Sequence, residues 1–295
     1  PEVAGGWYVG PGWLFIGGPE NPTFGRNHIT QSAFLAFGAM LALGQSWVSW
    51  RISRGLILST IWALLAVIYL LTVFHLQSRT GYMLVGVLIL FWVVICLKYL
   101  ATRRWMVALG TAFIILFAMG LTSKQLLPRT MTMVDSAERY VSTGKMTDSG
   151  VRLDFWKSSV QIFTEHPVFG VGLGGFAEAY QRNKKNIDWL SETRPHPHSE
   201  YMLMATQLGI LGTALFLWLA WVLFVKTLES IVNSPGVPGL LVLFLADGLV
   251  NSVIWDLAEG HIFMLIVVLA TRQCTPRANA RICAGNIIER GGHIS

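Results

Sequence analysis

Apolar residues run almost unbroken through seven stretches of the chain, at about 29–46, 55–75, 81–100, 105–122, 199–225, 237–253 and 257–271. A bilayer core needs about 20 mostly apolar residues per helix. Each stretch is therefore expected to be a membrane-spanning helix, the first and last being the shortest. Lys and Arg sort the connections into two sets. One set holds Arg51 and Arg54, then Lys98, Arg103 and Arg104, then Lys226, and finally a tail with Arg272, Arg277, Arg281 and Arg290. The other holds Arg79 alone in 76–80 and no Lys or Arg in 254–260. The alternation puts the tail in the cytoplasm and residues 1–28 outside. The chain starts at Pro1 without a signal peptide, so an exterior start reads as the C-terminal part of a longer protein with an odd number of upstream spans.

Between the fourth and fifth spans lies one long polar stretch, 123–198, on the exterior side. It carries ten Lys and Arg against eight Asp and Glu. A loop of this length escapes the charge rule and is too long for a mere connection, so a folded, functional element is expected. Within it, 149–165 reads as a helix, capped by Asp148 or Ser149 and ended by His166-Pro167. Leu153, Trp156, Val160 and Phe163 recur at helical spacing. Such a stripe lies either flat on the membrane or against other protein. Gly170-Val171-Gly172-Leu173-Gly174-Gly175 superficially resembles a nucleotide-binding fingerprint, but no preceding strand of a βαβ unit is present, and the run reads as tightly turned backbone.

Composition agrees with a polytopic membrane protein. Of 295 residues 53% are hydrophobic and 13% charged, half the charge of a typical soluble domain. This excludes disorder and collagen-like repeats. The three cysteines, Cys96, Cys274 and Cys283, make no disulfide framework. The net charge of +6 follows membrane topology, so nucleic acid is not an expected partner.

Charges near the membrane mark candidate sites. Arg79 stands in a very short exterior turn, Gln77-Ser78-Arg79-Thr80-Gly81, where it either snorkels to headgroups or grips an anion with its planar fork. Arg152 shares a helix face with Trp156, Ser159 and Phe163 and suits an anionic partner; the ordinary alternative is an ion pair with Asp148. His198, where the loop enters the fifth span, can move a proton near neutral pH, and Pro195 and Pro197 stiffen the backbone around His196. His196 and His198 lack a third ligand at convincing spacing, so no metal is expected. Asp247 and Asn251 in the sixth span could line a transport path, but an interior hydrogen bond between helices explains them better. Two cations and a proton acceptor on one side suit a lipid-linked diphosphate. The arginines would hold the phosphates, and the histidine would deprotonate an attacking hydroxyl.

Ser78-Arg79-x-Gly81, Arg152 in the long loop, Glu165-His166-Pro167-x-x-Gly170-x-Gly172-x-Gly174-x-Phe176, and His198-Ser199-x-Tyr201 followed by Gly209-x-x-Gly212 together resemble the O-antigen ligase/polymerase superfamily. Phe24-Gly25-Arg26-Asn27-His28 is also similar to it, and the resemblance spans most of residues 20–260. It implies an all-α, GT-C-like transmembrane bundle with one large periplasmic loop containing amphipathic helices. The expected division is an N-terminal periplasmic segment and four spans over 1–122, the loop over 123–198, three spans over 199–271, and a cytoplasmic tail over 272–295. It further implies a metal-independent, inverting glycosyltransferase of the bacterial inner membrane without a cofactor. The donor would be an undecaprenyl-diphosphate-linked glycan. The acceptor would be lipid A–core in a ligase, another lipid-linked repeat in a polymerase, or protein in a related branch. One long loop favours the ligase. In this reading Arg79 and Arg152 contact the diphosphate, His198 is the base or orients the acceptor, and His196 and Asp247 are secondary. The rivals of another class are a membrane transporter and a purely structural membrane protein.

Overall fold

The computed structural model describes residues 8–9, 16–17, 28–51, 55–76, 78–99, 131, 134–140, 142–143, 148–183, 196–228, 231, 233–255 and 257–272. The fold is helical. Its helices are α1 (His28–Arg51), α2 (Leu56–His75), α3 (Arg79–Tyr99), α4 (Asp148–Glu165), α5 (Phe176–Asn183), α6 (Glu200–Leu228), α7 (Gly236–Asp247) and α8 (Leu257–Arg272). Among the described residues, strand pairing is confined to Tyr8–Val9 against Ile16–Gly17. The expected fourth span, 105–122, lies outside the described residues, as do Arg54, Arg103, Arg104, Phe24 to Asn27, Arg194, Pro195 and the tail beyond Arg272.

Among the described residues four helices are long and apolar enough to cross a membrane: α1, α2, α3 and α6. On α2 the large side chains Ile57, Ile61, Leu64, Ile68 and Leu71 are all more than half exposed. They fall at helical spacing on one face, which is stable only against lipid. The chain is a multi-pass membrane protein. At the centre, α1 presents small buried residues, Ser32, Ala33, Ala36 and Ala39, to its neighbours. A Cβ on Gly44 would fall 2.6 Å from the Cα of Gly236, so glycine lets α1 and α7 touch backbone to backbone. Without a hydrophobic drive between helices in lipid, such close approach is what holds them. Hydropathy ended the first span near 46, but α1 continues to Arg51. Trp47 and Trp50 stack edge-on there at 5.8 Å, and the Arg51 guanidinium lies 5.8 Å from the Trp47 ring. Aromatic and basic side chains prolong the helix through the interface where apolar scoring stops.

The sixth span is corrected. In place of 237–253, α7 ends at Asp247, and 248–255 is turned backbone. Twelve residues rise only about 18 Å, well short of a bilayer core of about 30 Å. Its Gly236, Val237, Leu240, Leu241, Leu243 and Phe244 are buried around nearly the whole circumference. This is a short helix sheathed by others, so it does not need to span.

The loop helix runs over Asp148–Glu165 against the expected 149–165, stops before His166-Pro167, and packs on protein. The buried face is corrected, however. Phe155, Ser158, Ser159 and Ile162 are buried, whereas Val160 of the expected stripe is half exposed. The reason is the partner. Phe155 and Ile162 join Phe176 and Tyr180 of α5 and Leu203 of α6 in one apolar cluster. Asp154, buried on that face, accepts hydrogen bonds from Tyr140 at 2.7 Å and Tyr180 at 2.5 Å. A hydrogen-bonded carboxylate can thus occupy a core position that hydrophobic counting leaves to solvent.

Candidate active site

The site is built on a break in α6. Gly209 sits at φ 64°, ψ −161°, inside what is otherwise a 29-residue helix. A break strands carbonyls and amides that a membrane cannot hydrate. The glycine-rich loop after α4 satisfies them. Val171 N–H donates to Thr206 O at 2.9 Å, Gly172 N–H to Gln207 O at 2.9 Å, and Ile210 N–H to Pro167 O at 2.8 Å. The fit leaves no room for side chains: a Cβ on Gly209 would lie 2.3 Å from Val168 O, and one on Gly170 2.4 Å from the Gln207 carbonyl carbon. The expected tight turns are present, with Gly170, Gly172 and Gly174 all at positive φ. The loop is a plug that completes a broken helix.

His198 lies just before this helix, and its backbone is pinned from both sides. Upstream, Trp156 of α4 donates its indole N–H to Pro197 O at 2.9 Å. Downstream, Glu200 N–H donates to Gly248 O at 2.8 Å, the Glu200 carboxylate accepts from Ile254 N–H at 2.9 Å, and Tyr201 donates its hydroxyl to Leu245 O at 2.8 Å. Among the described residues His198 is the one non-glycine with positive φ, at 48°. Strained backbone of this kind persists where the surroundings over-determine it, and it gathers at functional sites.

Around the ring, His196 lies tilted against it at 3.9 Å between centroids and Phe155 lies at 6.1 Å. The Nδ1 of His196 is 3.4 Å from the Ser252 hydroxyl. Arg152 of α4 donates to Val250 O at 3.5 Å, which carries its guanidinium to the turn after α7. Burial pushes the His198 imidazole down from the ordinary 6.5 to about 3, and the neighbouring His196 and Arg152 push it the same way. At neutral pH the ring is uncharged, which is the form that accepts a proton.

The fold thus brings together Arg152, His196 and His198, with the turn that starts at Asp247 beside them. Arg79 begins a different helix. It is exposed and has no hydrogen-bond or ion-pair partner among the described residues, and none joins it to Arg152 or His198. Asp247 is buried, and its Oδ1 accepts from the Asn251 amide at 2.6 Å. This bond is local, four residues along one turn, and so corrects the expectation of a bond between helices. Among the described residues no group of three His, Cys, Asp or Glu side chains is placed to hold a metal ion. The Asp148 side chain lies outside the described residues.

Sequence reasoning missed three contributors. Trp156 was read as part of an apolar stripe, yet its polar edge does the positioning. Glu200 is completely buried, with one carboxylate oxygen unpartnered among the described residues. A charged residue at the first position of a span was the available signal for it. Gly209 was seen as a motif position, but a break requires knowing what fills it.

A kinked apolar bundle, with a folded loop that brings a histidine pair and an arginine to the mouth of one helix, defines a multi-pass membrane protein with a candidate site at that helix entry. The chain belongs to the O-antigen ligase family, whose sequence profile matches residues 64–217, just over half of it. That segment contains Arg79, Arg152, His196 and His198 and is narrower than the 20–260 of the resemblance. Comparison with curated proteins gives no match. Membership makes this a membrane enzyme of the O-antigen ligase and polymerase type.

Proposed function

We propose that the protein is an O-antigen ligase-type glycosyltransferase acting at the periplasmic face of the bacterial inner membrane. It moves a glycan from an undecaprenyl-diphosphate carrier to lipid A–core, without a metal and with inversion. The observation that carries this reading is the uncharged, backbone-pinned His198 beside the Arg152 guanidinium. The acceptor hydroxyl oxygen attacks the anomeric carbon of the donor. Its proton passes to a nitrogen of His198, and the bond from that carbon to the diphosphate breaks. The lipid diphosphate leaves with the electron pair, its charge met by Arg152 and Arg79. A low ring basicity would hinder proton transfer in the empty site. A bound diphosphate supplies negative charge next to Arg152 and so raises the basicity when it is needed.

Glycan transfer in membranes carrying the full chain tests this. His198→Ala should abolish transfer, since a placed general base is worth about 10²–10⁴-fold. His196→Ala should be milder. Arg152→Ala and Arg79→Ala should each lose activity at unchanged protein level, by about 30-fold or more if a desolvated charged contact of about 2–5 kcal/mol is removed. Arg→Lys should rescue poorly, because a fork becomes a point charge. Chelators should change little. Full transfer by both alanine variants of arginine would overturn the reading.

A further inference from the structure

Beside His196, residues of α5, α6 and the turn after α7 line an open cavity of about 340 Å³. Its walls include His196, Gln181 of α5, Leu203 and Gln207 of α6, Phe176, and Trp255. We infer that this cavity binds a sugar unit of the glycan acceptor and presents its hydroxyl to the histidine pair. The inference rests on the glycosyltransferase reading above and names the place of one of its two substrates.

The wall chemistry argues for a sugar. A saccharide ring has a face of C–H groups and an edge of hydroxyls that both donate and accept. Trp255 brings a large flat ring that is about half exposed, free to lie against such a face. Gln207 brings an amide that can donate and accept at once. The residue as a whole is 4% exposed and its side chain makes no hydrogen bond within the described residues, although its backbone carbonyl is held by Gly172. The amide faces the cavity, where a hydroxylated ligand would meet both its donor and its acceptor. Gln181 adds a second amide from the loop side. The volume lies at the small end of ligand sites, about 300–1,000 Å³, which suits a short saccharide more than a lipid chain. Among the described residues no Lys or Arg lines the cavity, and the charged side chain in its wall is the carboxylate of Glu178, paired with Arg182. A diphosphate would find no countercharge there, which assigns the pocket to the acceptor sugar.

His196 connects the pocket to the chemistry. It forms part of the cavity wall and lies against the His198 ring at 3.9 Å between centroids. A sugar seated against Trp255 and Gln207 therefore lies one ring away from the candidate base. The glycine-rich loop also matters here, because Gly172 fixes the turn of α6 that carries Gln207.

The test uses the full chain purified in detergent, with free glucose, galactose and N-acetylglucosamine as probes in saturation-transfer NMR. At least one sugar should receive saturation from the wild type. The signal should be lost in Trp255→Ala and Gln207→Leu, should return in Trp255→Phe, and should persist in Trp221→Ala, which removes an exposed tryptophan far along α6. In transfer assays Gln207→Leu and Trp255→Ala should raise the KM for acceptor about tenfold and leave the KM for the lipid-linked donor unchanged, the size expected for one lost ring contact or hydrogen bond. No saturation of any probe, equal saturation in Trp255→Ala, or a shift in donor KM alone would overturn the inference. The two readings fail separately. A sugar bound by a wild type that transfers no glycan would sink the glycosyltransferase reading but not the pocket. Transfer dependent on His198 with no sugar in the pocket would do the reverse.

Discussion

Trp156 holds Pro197 by a 2.9 Å hydrogen bond that spans 41 residues of sequence and ties the loop helix to the segment carrying His198. The indole N–H has a single acceptor to satisfy, and it uses the carbonyl one residue before the histidine. Trp156→Phe keeps an aromatic ring and removes only that N–H. The stability cost should be about 0.5–1.5 kcal/mol, the ordinary net worth of such a bond. Activity should fall further than that, by about tenfold or more, because a 1 Å displacement of a reacting group costs about 100-fold. Comparing the thermal unfolding midpoint with the transfer rate for this variant separates the two effects. A rate that drops no more than the stability change predicts would remove the positioning role.

The break in α6 makes a sharp prediction about glycine. Alanine at Gly209 would take up a sparsely allowed backbone conformation, at about 1–3 kcal/mol, and would press its methyl to 2.3 Å from Val168 O. Gly209→Ala should therefore yield little folded protein. Gly86→Ala on α3 is the comparison, since a Cβ there meets nothing within 4 Å, and it should accumulate normally. Size-exclusion profiles of the two variants in detergent would show the difference. A well-folded Gly209→Ala would mean that the loop can leave the break.

These contacts explain what the sequence disclosed and what it withheld. The C-terminal end of α4 was legible because an X-Pro stop acts within a few residues. The positive-φ turns at Gly170, Gly172 and Gly174 were legible for the same reason. The candidate pair of Arg152 and His198 was legible from charge type at membrane boundaries. The short α7 was not, because hydropathy of 237–253 reports apolar surroundings equally well whether lipid or other helices provide them. Nor were Trp156 to Pro197 and Arg152 to Val250, since hydrogen bonds across 41 and 98 residues leave no periodic trace. Arg79 and Arg152 read as partners, yet they stand on helices without a described contact between their side chains, so only a shared substrate would join them.

Asp154 gives a prediction about the loop as a folded unit. Tyr140 and Tyr180 both donate to its buried carboxylate, and burial together with that hydrogen bond pushes both phenols up, Tyr140 to about 12. Both therefore stay protonated as donors throughout the physiological range. Tyr180→Phe should cost about 1.5–3 kcal/mol, as for a bond to a charged group. Tyr140 is less enclosed, so Tyr140→Phe should cost less. Limited proteolysis should cut the loop faster in Tyr180→Phe than in the wild type, with the membrane helices intact. Unchanged cleavage would mean that the apolar cluster of Phe155, Ile162 and Phe176 alone holds α4 to α5.

The depressed basicity of His198 fixes the sign of two pH effects. Its folded value of about 3 lies below the ordinary 6.5 expected in the unfolded chain. Above pH 6.5 the ring is neutral in both states, and the group contributes no pH dependence. As pH falls below 6.5 the unfolded chain takes up a proton that the folded protein refuses until about pH 3, so stability declines across that window. His198→Gln removes this decline, and its unfolding midpoint should fall less steeply than the wild type's between pH 6.5 and 4.5. Activity behaves differently. An ordinary histidine would lose about tenfold of its neutral form between pH 7.5 and 5.5. For His198 the ring stays neutral, so kcat/KM, which reports the free enzyme, should hold across this range as far as this group is concerned. In the complex the diphosphate brings negative charge beside Arg152 and pulls the ring upward, so kcat should begin to fall at a higher pH than kcat/KM. A kcat/KM that drops with a midpoint near 6.5 in the wild type, and still does so in His196→Ala, would show that burial and Arg152 do not control the proton acceptor.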